Sequence, residues 1–183
     1  MRKPGPRLAL AVAIQFILLL SLLGFKQYTL LTGETVLLRV QPIDPRDLFR
    51  GDYVTLSYDI STLQPDELGG DDYFGPDDRI YVELVKGEPY WRPVAIYEER
   101  RHEHEDSVVI KGRVDNVHWA PGGSLQVRYG TEDIFVPEDT GRVIESLSRT
   151  SDDLGVEVVV DRWGNGIARH LLLDGEPYKF ERR

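Results

Sequence analysis

The sequence predicts a mainly β protein, in which a single N-terminal transmembrane helix is followed by an antiparallel β-rich extracytoplasmic domain with one short helix. Three observations predict this fold class. The chain begins with one long uncharged apolar run. After it, short β-branched and aromatic segments alternate with Gly-, Pro- and Asp-containing turns, which is typical of antiparallel sheets. One later segment has apolar residues at helical spacing.

The apolar run extends from Leu8 to Phe25 and contains 18 residues without a charged side chain. As a helix with a rise of about 1.5 Å per residue it is about 27 Å long, close to the roughly 30 Å hydrocarbon core of a bilayer. Its length and the lack of an A-x-A-like site at its end argue against a cleaved signal peptide. It also lacks the polar face of a helix in a soluble core. We therefore expect a transmembrane anchor, with a cleaved signal and a soluble core helix as open alternatives.

The charges that flank this run predict its orientation. Three basic residues precede it, and a single lysine, Lys26, follows it directly. The flank with more positive charge stays in the cytoplasm. Residues 1–7 are therefore predicted to be a cytoplasmic tail, residues 8–25 the anchor and residues 27–183 an extracytoplasmic domain. This describes a single-pass protein of the inner or plasma membrane.

Short strands dominate the predicted body. Nine segments are expected to be strands: residues 35–41, 52–60, 79–85, 90–98, 107–114, 124–129, 133–136, 156–161 and 167–173. Pro93 restricts the fourth of them to a sheet edge, and Gly164-Asn165-Gly166 is the strongest hairpin signal. Residues 138–147 predict the short helix, because capping residues precede their helical apolar spacing. The Asp-, Gly- and Pro-rich segment 64–78 is expected to be an exposed connection.

Charge excludes one class of partner. Residues 1–25 hold three of the 22 basic residues and none of the 31 acidic ones, so the rest of the chain carries a formal net charge of −12. Nucleic-acid binding requires clustered Lys and Arg to neutralise phosphates. We therefore expect no nucleic-acid partner. The chain also contains no cysteine, which excludes disulfides and thiolate chemistry.

The segment 52–60 has two chemically different faces. Side chains alternate along a strand, so Leu56 and Tyr58 share an apolar face and are expected to anchor the core. Tyr53 points to the opposite face, where it can pack under a loop or form part of a binding surface. Gly51 permits a tight entry into the strand. Gly51, Leu56 and Tyr58 are therefore interpreted as a structural motif. The opposite face of the strand, which carries Tyr53, is the part that can contact a partner.

Charged residues lead into this strand. Five of them, of both signs, occupy nine positions: Asp44, Arg46, Asp47, Arg50 and Asp52. In one interpretation the arginines hold a loop against the sheet through the carboxylates. In the other, Arg46 and Arg50 form a rim that takes an anionic partner. Together with Tyr53, these five are the candidate binding residues.

Residues 51–58, Gly-Asp-Tyr-Val-Thr-Leu-Ser-Tyr, fit the pattern GDYxxLxY at all five specified positions. The chain resembles the GDYXXLXY family of bacterial membrane-anchored proteins. Residues 42–50 and 129–138 resemble that family too, and the likeness extends from about residue 35 to about residue 147. The resemblance implies an N-terminal anchor and an extracytoplasmic domain, and it brings no established activity. Such proteins are often encoded beside multi-pass membrane proteins, which implies an integral membrane partner.

Sequence motifs for catalysis are weak. G-x-S-x-G, H-E-x-x-H and P-loop patterns do not occur. His102 and His104 could approach one metal from a shared strand face, but a zinc site needs a third ligand. The acidic pairs at 71–72 and 77–78 do not have EF-hand spacing. We therefore expect no catalytic residue, metal or cofactor.

The predicted function is a membrane-anchored extracytoplasmic binding or accessory domain that partners an integral membrane protein. The alternative is an extracytoplasmic hydrolase, either metal-dependent or similar in fold to membrane-bound signal peptidases. That second similarity is an analogy at the level of the fold only.

Overall fold

A computed structural model describes residues 6–41, 53–118, 122–135 and 153–178. The described part is mainly β, with antiparallel and mixed sheets and one N-terminal helix, so the predicted fold class is confirmed. Its elements are α1 (Pro6–Thr32), β1 (Glu34–Gln41), β2 (Tyr53–Thr55), β3 (Ser57–Tyr58), β4 (Thr62–Leu63), β5 (Gly69–Gly70), β6 (Arg79–Val85), β7 (Arg92–Tyr97), β8 (Ser107–His118), β9 (Ser124–Arg128), β10 (Asp133–Phe135), β11 (Leu154–Val160), β12 (Gly166–Leu173) and β13 (Glu176–Pro177). The short helix predicted at 138–147 lies outside the described residues.

The N-terminal helix is long and apolar enough to cross a membrane. It continues seven residues beyond Phe25, because Lys26 and the residues after it are compatible with a helix although they are more polar. The segment Leu10–Thr32 is a candidate membrane span, and its apolar window is not buried against the rest of the chain. The helix ends at Gly33, whose N–H donates to the carbonyl of Thr29 at 2.9 Å. These features indicate a single-pass membrane anchor.

A five-stranded sheet begins directly after the helix. Its strand order is β13-β12-β11-β1-β3, and every adjacent pair is antiparallel. Only Gly33 separates the helix from β1, so the anchor leads into a central strand of the sheet without a linker. The hairpin predicted at Gly164-Asn165-Gly166 is confirmed, since β11 pairs with β12 and Val160 lies opposite Gly166.

A six-stranded sheet forms the second layer, in the order β4-β9-β8-β6-β7-β5. β5 runs parallel to β7, and the other pairs are antiparallel. The prediction that Pro93 restricts its strand to a sheet edge is wrong, because β7 lies between β6 and β5. β5 pairs only with Ala95 and Ile96, so no strand lies opposite Pro93 on that side. Apolar side chains of both sheets join one buried cluster, which includes Val36, Leu38, Val82, Ile110, Val114, Val156 and Val158.

Residues 52–60 do not form one continuous strand, which corrects the sequence prediction. β2 pairs with β10, whereas β3 pairs with β1, and Leu56 between them bonds by its N–H to the carbonyl of Glu132. A 3-10 turn, Asp59–Ser61, follows. The strand is broken because its two halves pair with different neighbours.

Other boundaries also differ from the prediction. β8 runs four residues further than expected and contains a register shift between Val114 and Asn116. β7 is shorter than residues 90–98 at both ends. The connection 64–78 contains the short strand β5, and it is not wholly exposed, because Phe74 is only 1% exposed.

Candidate functional site

The residues predicted to bind a partner are mostly outside the part of the chain that the structure describes. This applies to Asp44, Arg46, Asp47, Arg50 and Asp52, and also to Gly51 of the motif. Tyr53 is placed by its backbone, which pairs with Phe135. Of the six predicted binding residues, only the backbone of Tyr53 therefore lies in the described part of the chain.

The two core residues of the motif are buried. Leu56 is 4% exposed and Tyr58 is fully buried. The hydroxyl of Tyr58 donates to the carbonyl of Thr131 at 2.5 Å, and burial raises the pKa of Tyr58 well above its usual range. Both positions therefore stabilise the domain, as the alternation of the segment predicts.

A buried carboxylate, Glu83 on β6, organises the loop between β7 and β8. Its Oε1 accepts the backbone N–H groups of Glu103 and His104 at 2.9 and 3.0 Å and the hydroxyl of Ser107 at 2.6 Å. Its Oε2 lies 3.1 Å from Nδ1 of His104 and accepts the hydroxyl of Tyr97 at 3.3 Å. Burial alone would raise the pKa of Glu83, but these hydrogen bonds outweigh burial and lower it to about 2. Sequence inspection missed this residue, because Glu83 is an isolated acidic residue in an apolar strand.

This cluster does not have the geometry of a hydrolase. In a catalytic triad a histidine lies between the serine and the carboxylate. Here the Ser107 hydroxyl bonds directly to Glu83, and His102 contacts Ser107 through Nδ1 at 3.2 Å and Arg100 through its other nitrogen at 2.9 Å. Across residues 6–41, 53–118, 122–135 and 153–178, no group of three His, Asp or Glu side chains could hold a metal. The cluster therefore fixes the conformation of the loop between β7 and β8, and it does not support the hydrolase alternative.

A row of arginines crosses the outer face of the six-stranded sheet. Arg79 on β6 lies directly opposite Arg113 on β8, and Arg113 lies directly opposite Arg128 on β9. All three side chains are exposed. With Lys111, this arginine row (Arg79, Arg113, Arg128) lines an open groove of about 450 Å³.

The arginine row is only partly neutralised. Arg128 makes two hydrogen bonds to Asp115, at 2.9 and 3.0 Å, and Arg113 has a looser contact with Asp77 at 3.8 Å. Among the described residues, no carboxylate lies within ion-pair distance of Arg79. Like charges directly opposite each other destabilise a sheet. The row is therefore a local concentration of positive charge on a body that is acidic overall.

The turn between β11 and β12 connects the helix to this sheet. The carboxylate of Asp161 accepts the backbone N–H groups of Trp163 and Asn165 and the side-chain amide of Asn165, at 2.9 to 3.2 Å. On the other side, the Lys111 ammonium donates to Oδ1 of Asn165, and the Lys111 backbone N–H donates to the Gly164 carbonyl at 2.8 Å. The groove that contains the arginine row thus adjoins this turn.

The end of α1 is fixed to the same turn. Thr29, 1% exposed, donates its hydroxyl to Oδ2 of Asp161 at 3.1 Å. Burial would raise the pKa of Asp161, but the bonds from Asn165, Trp163 and Thr29 together lower it. Gly33 packs closely enough that a Cβ atom would come within 2.6 Å of the Val159 side chain. Helix and domain therefore meet in a specific packed contact.

Comparisons with known proteins identify a family and nothing closer. No curated protein and no solved structure matches the chain. The model of the family described as GDYXXLXY protein matches residues 15–171, from within α1 to β12. The match therefore covers the second half of α1, β1 to β11 and most of β12, and the chain belongs to the GDYXXLXY protein family.

Proposed function

We propose that this protein is a membrane-anchored, extracytoplasmic binding or accessory domain that engages an acidic segment of an integral membrane protein. The observation that carries this proposal is the arginine row on an otherwise acidic body. Directly opposed like charges reduce the stability of the sheet. An anionic partner offsets this repulsion when it binds, so the arginine row is well suited to bind one.

Carboxylates suit this surface chemically. A guanidinium group presents paired donors that match the two oxygens of a carboxylate. Asp115 already accepts hydrogen bonds from Arg128, with both of its oxygens near 3 Å from one guanidinium nitrogen. Arg79 and Arg113 have no carboxylate that close among the described residues. Aspartate or glutamate side chains of a partner would extend the same pattern along the row.

Position relative to the membrane supports a membrane-embedded partner. Lys111, which lines the groove, bonds to Asn165 in the turn that also holds Thr29 of α1. The groove is therefore only a few side chains from the end of the candidate membrane span. A loop that emerges from a neighbouring membrane protein would have a short distance to cover.

Capture of the full-length protein in mild detergent tests the proposal. We expect the native protein to recover an integral membrane protein, with chemical cross-links that join acidic residues of that protein to Lys111. The variant Arg79→Gln/Arg113→Gln/Arg128→Gln should lose the capture, whereas Arg92→Gln, at another exposed arginine, should retain it. Capture that survives the triple substitution would exclude the arginine row as the binding surface. Recovery of no membrane protein, with a monomer by light scattering, would contradict the proposed function as a whole.

Orientation has a separate test, because the chain has no cysteine. Single cysteines can replace Asp174, in an exposed turn, or Arg2, in the predicted cytoplasmic tail. A membrane-impermeant maleimide applied to intact cells or spheroplasts should label the first variant only. Labelling of the second variant alone would place the body in the cytoplasm and contradict the extracytoplasmic assignment.

A further inference from the structure

The end of the membrane span can be located on α1 from its length. Starting at Leu8, about 20 helical residues cross a hydrocarbon core of roughly 30 Å. The uncharged run ends at Phe25 and is followed by Lys26 and Gln27. Tyr28 therefore lies at the boundary between hydrocarbon and headgroups, where tyrosine and tryptophan are enriched in membrane proteins.

The turn between β11 and β12 places a tryptophan and an arginine at the same level. The ring centroids of Tyr28 and Trp163 are 5.9 Å apart, and each residue is 40% exposed. The guanidinium of Arg162 lies 4.3 Å from the Trp163 ring centroid and 5.9 Å from that of Tyr28. These three residues form an aromatic cluster (Tyr28, Arg162, Trp163) on the surface next to the helix.

The cluster is held in place by the buried bonds beneath it. Asp161 accepts the backbone N–H of Trp163 at 2.9 Å and the hydroxyl of Thr29 at 3.1 Å. Thr29 is the neighbour of Tyr28 on the helix, so one carboxylate fixes both halves of the cluster. The position of Trp163 along the direction of the helix axis is therefore tied to that of Tyr28.

We propose that the β11–β12 turn is a second membrane contact of this protein, with Trp163 in the headgroup layer and the Arg162 guanidinium bound to a phospholipid phosphate. The indole ring combines a large apolar surface with an N–H group, which suits the boundary between hydrocarbon and water. Arginine binds phosphate through paired donors and can keep its cation–π contact with the indole while it does so. The aromatic cluster offers both properties next to the span.

This contact has a consequence for the whole domain. A single helix can tilt in the bilayer together with the domain packed against its end, whereas a second membrane contact restricts that tilt. The β-domain would then present its faces, including the arginine row, at a set angle to the bilayer. The inference does not depend on a protein partner, and it stands or fails separately from the proposed function.

Tryptophan fluorescence with quencher lipids tests the proposal directly. The full-length protein with Trp91→Phe and Trp119→Phe retains Trp163 alone and can be placed in nanodiscs of phosphatidylcholine and phosphatidylglycerol. We expect strong quenching by lipids with a nitroxide near the headgroup and weaker quenching by lipids labelled deep in the acyl chain. The matched control keeps Trp91 alone; that residue packs against the domain core and should be quenched by neither.

Two results would overturn the inference. One is a Trp163 that aqueous iodide quenches and shallow lipid quenchers do not, which would place the turn in water. The other is a Trp163 shielded from both, which would mean that protein covers it. Arg162→Gln separates the two parts of the contact: we expect it to reduce shallow quenching, and unchanged quenching would remove the arginine–phosphate bond from the proposal.

Discussion

Two buried carboxylates organise two turns of this molecule, and they differ in what they connect. Glu83 gathers donors from residues no more than 24 positions away, all on its own sheet or the loop that joins its neighbouring strands. Asp161 gathers local donors from its own turn and also a hydroxyl from Thr29, 132 positions earlier on the N-terminal helix. The first carboxylate closes a loop, whereas the second joins a membrane anchor to a domain.

The comparison shows why a depressed carboxylate pKa does not identify an active site by itself. Both groups are more acidic than usual, because hydrogen bonds to the charged form outweigh burial. In the described part of the chain, each of them is surrounded by donors that hold a turn or a loop in place. The informative difference is the origin of the donors, since only those of Asp161 couple two parts of the molecule that face different surroundings.

The largest effect is expected for Glu83→Gln. The pKa of Glu83 is about 2 in the folded protein, against an ordinary value of 4.5. The lower pKa in the folded protein means that the ionised carboxylate contributes a few kcal/mol of stability at pH 7. Because the folded pKa is the lower one, this stability is complete above pH about 5 and is lost as the pH falls toward 2. Urea unfolding in detergent at several pH values measures it.

The Glu83 variant has a matched control in Glu88→Gln, which changes an exposed carboxylate in the turn between β6 and β7. We expect the control to keep the full acid dependence of the native protein. Glu83→Gln should be less stable at neutral pH and should lose less stability below pH 5. Identical pH profiles for the two variants would mean that the Glu83 bonds do not contribute to stability.

The packed contact between helix and domain is tested next by Gly33→Ala. The added methyl group would come within 2.6 Å of a Val159 methyl group and 2.8 Å of the Val160 carbonyl oxygen. Overpacking of this kind costs about 1–3 kcal/mol. The free energy of unfolding in detergent should fall by that amount, and amide exchange at Trp163 and Asn165 should accelerate. Gly24→Ala is the control, because nothing lies within 4 Å of its added atom. Equal stability of both variants would show that the helix end is not packed as described.

Removal of a single hydroxyl should have a smaller effect. Thr29→Val keeps the shape of the side chain but loses the bond to Asp161, which costs about 1 kcal/mol. The pKa of Asp161 should rise toward its usual range, because one of the donors that lower it is lost. Carboxyl-carbon NMR titration measures this. Thr32→Val, whose exposed hydroxyl bonds to the Tyr28 carbonyl within the helix, should leave the Asp161 pKa unchanged. A similar Asp161 pKa in both variants would show that the Thr29 hydroxyl does not bond to Asp161.

Periodicity in the sequence is sufficient to predict the local elements. The predicted strand at 79–85 matches β6 at both ends, and the burial of Leu56 and Tyr58 follows from alternation alone. The predicted membrane anchor ends with the apolar run at Phe25, whereas the helix itself continues to Thr32. The change to polar residues at Lys26 indicates where the hydrocarbon core of the membrane ends, but polar residues do not by themselves end a helix.

Long-range pairing accounts for the features that the sequence does not reveal. The segment 52–60 has the alternation of one strand, and its division depends on β10 and β1, which lie far away in the sequence. The arginine row likewise arises from the register of three strands, which brings together residues that are 15 to 49 positions apart. Its one visible signal is the spacing of Lys111 and Arg113, which places two cations on one face of β8.

The smallest effect is expected for Arg79→Gln, which tests whether the arginine row is a binding surface or helps to stabilise the fold. Removal of a structural cation, such as an arginine that fixes a turn, lowers stability. Arg79→Gln should instead raise the free energy of unfolding by about 0.2–1 kcal/mol at low ionic strength, because it relieves repulsion from Arg113 directly opposite. The gain should disappear near 1 M salt, where screening acts over about 3 Å. Arg92→Gln, an exposed arginine outside the row, should show neither change. A loss of stability in the Arg79 variant at low salt would mean that this arginine holds the fold together, and the row would then need no binding partner to explain it.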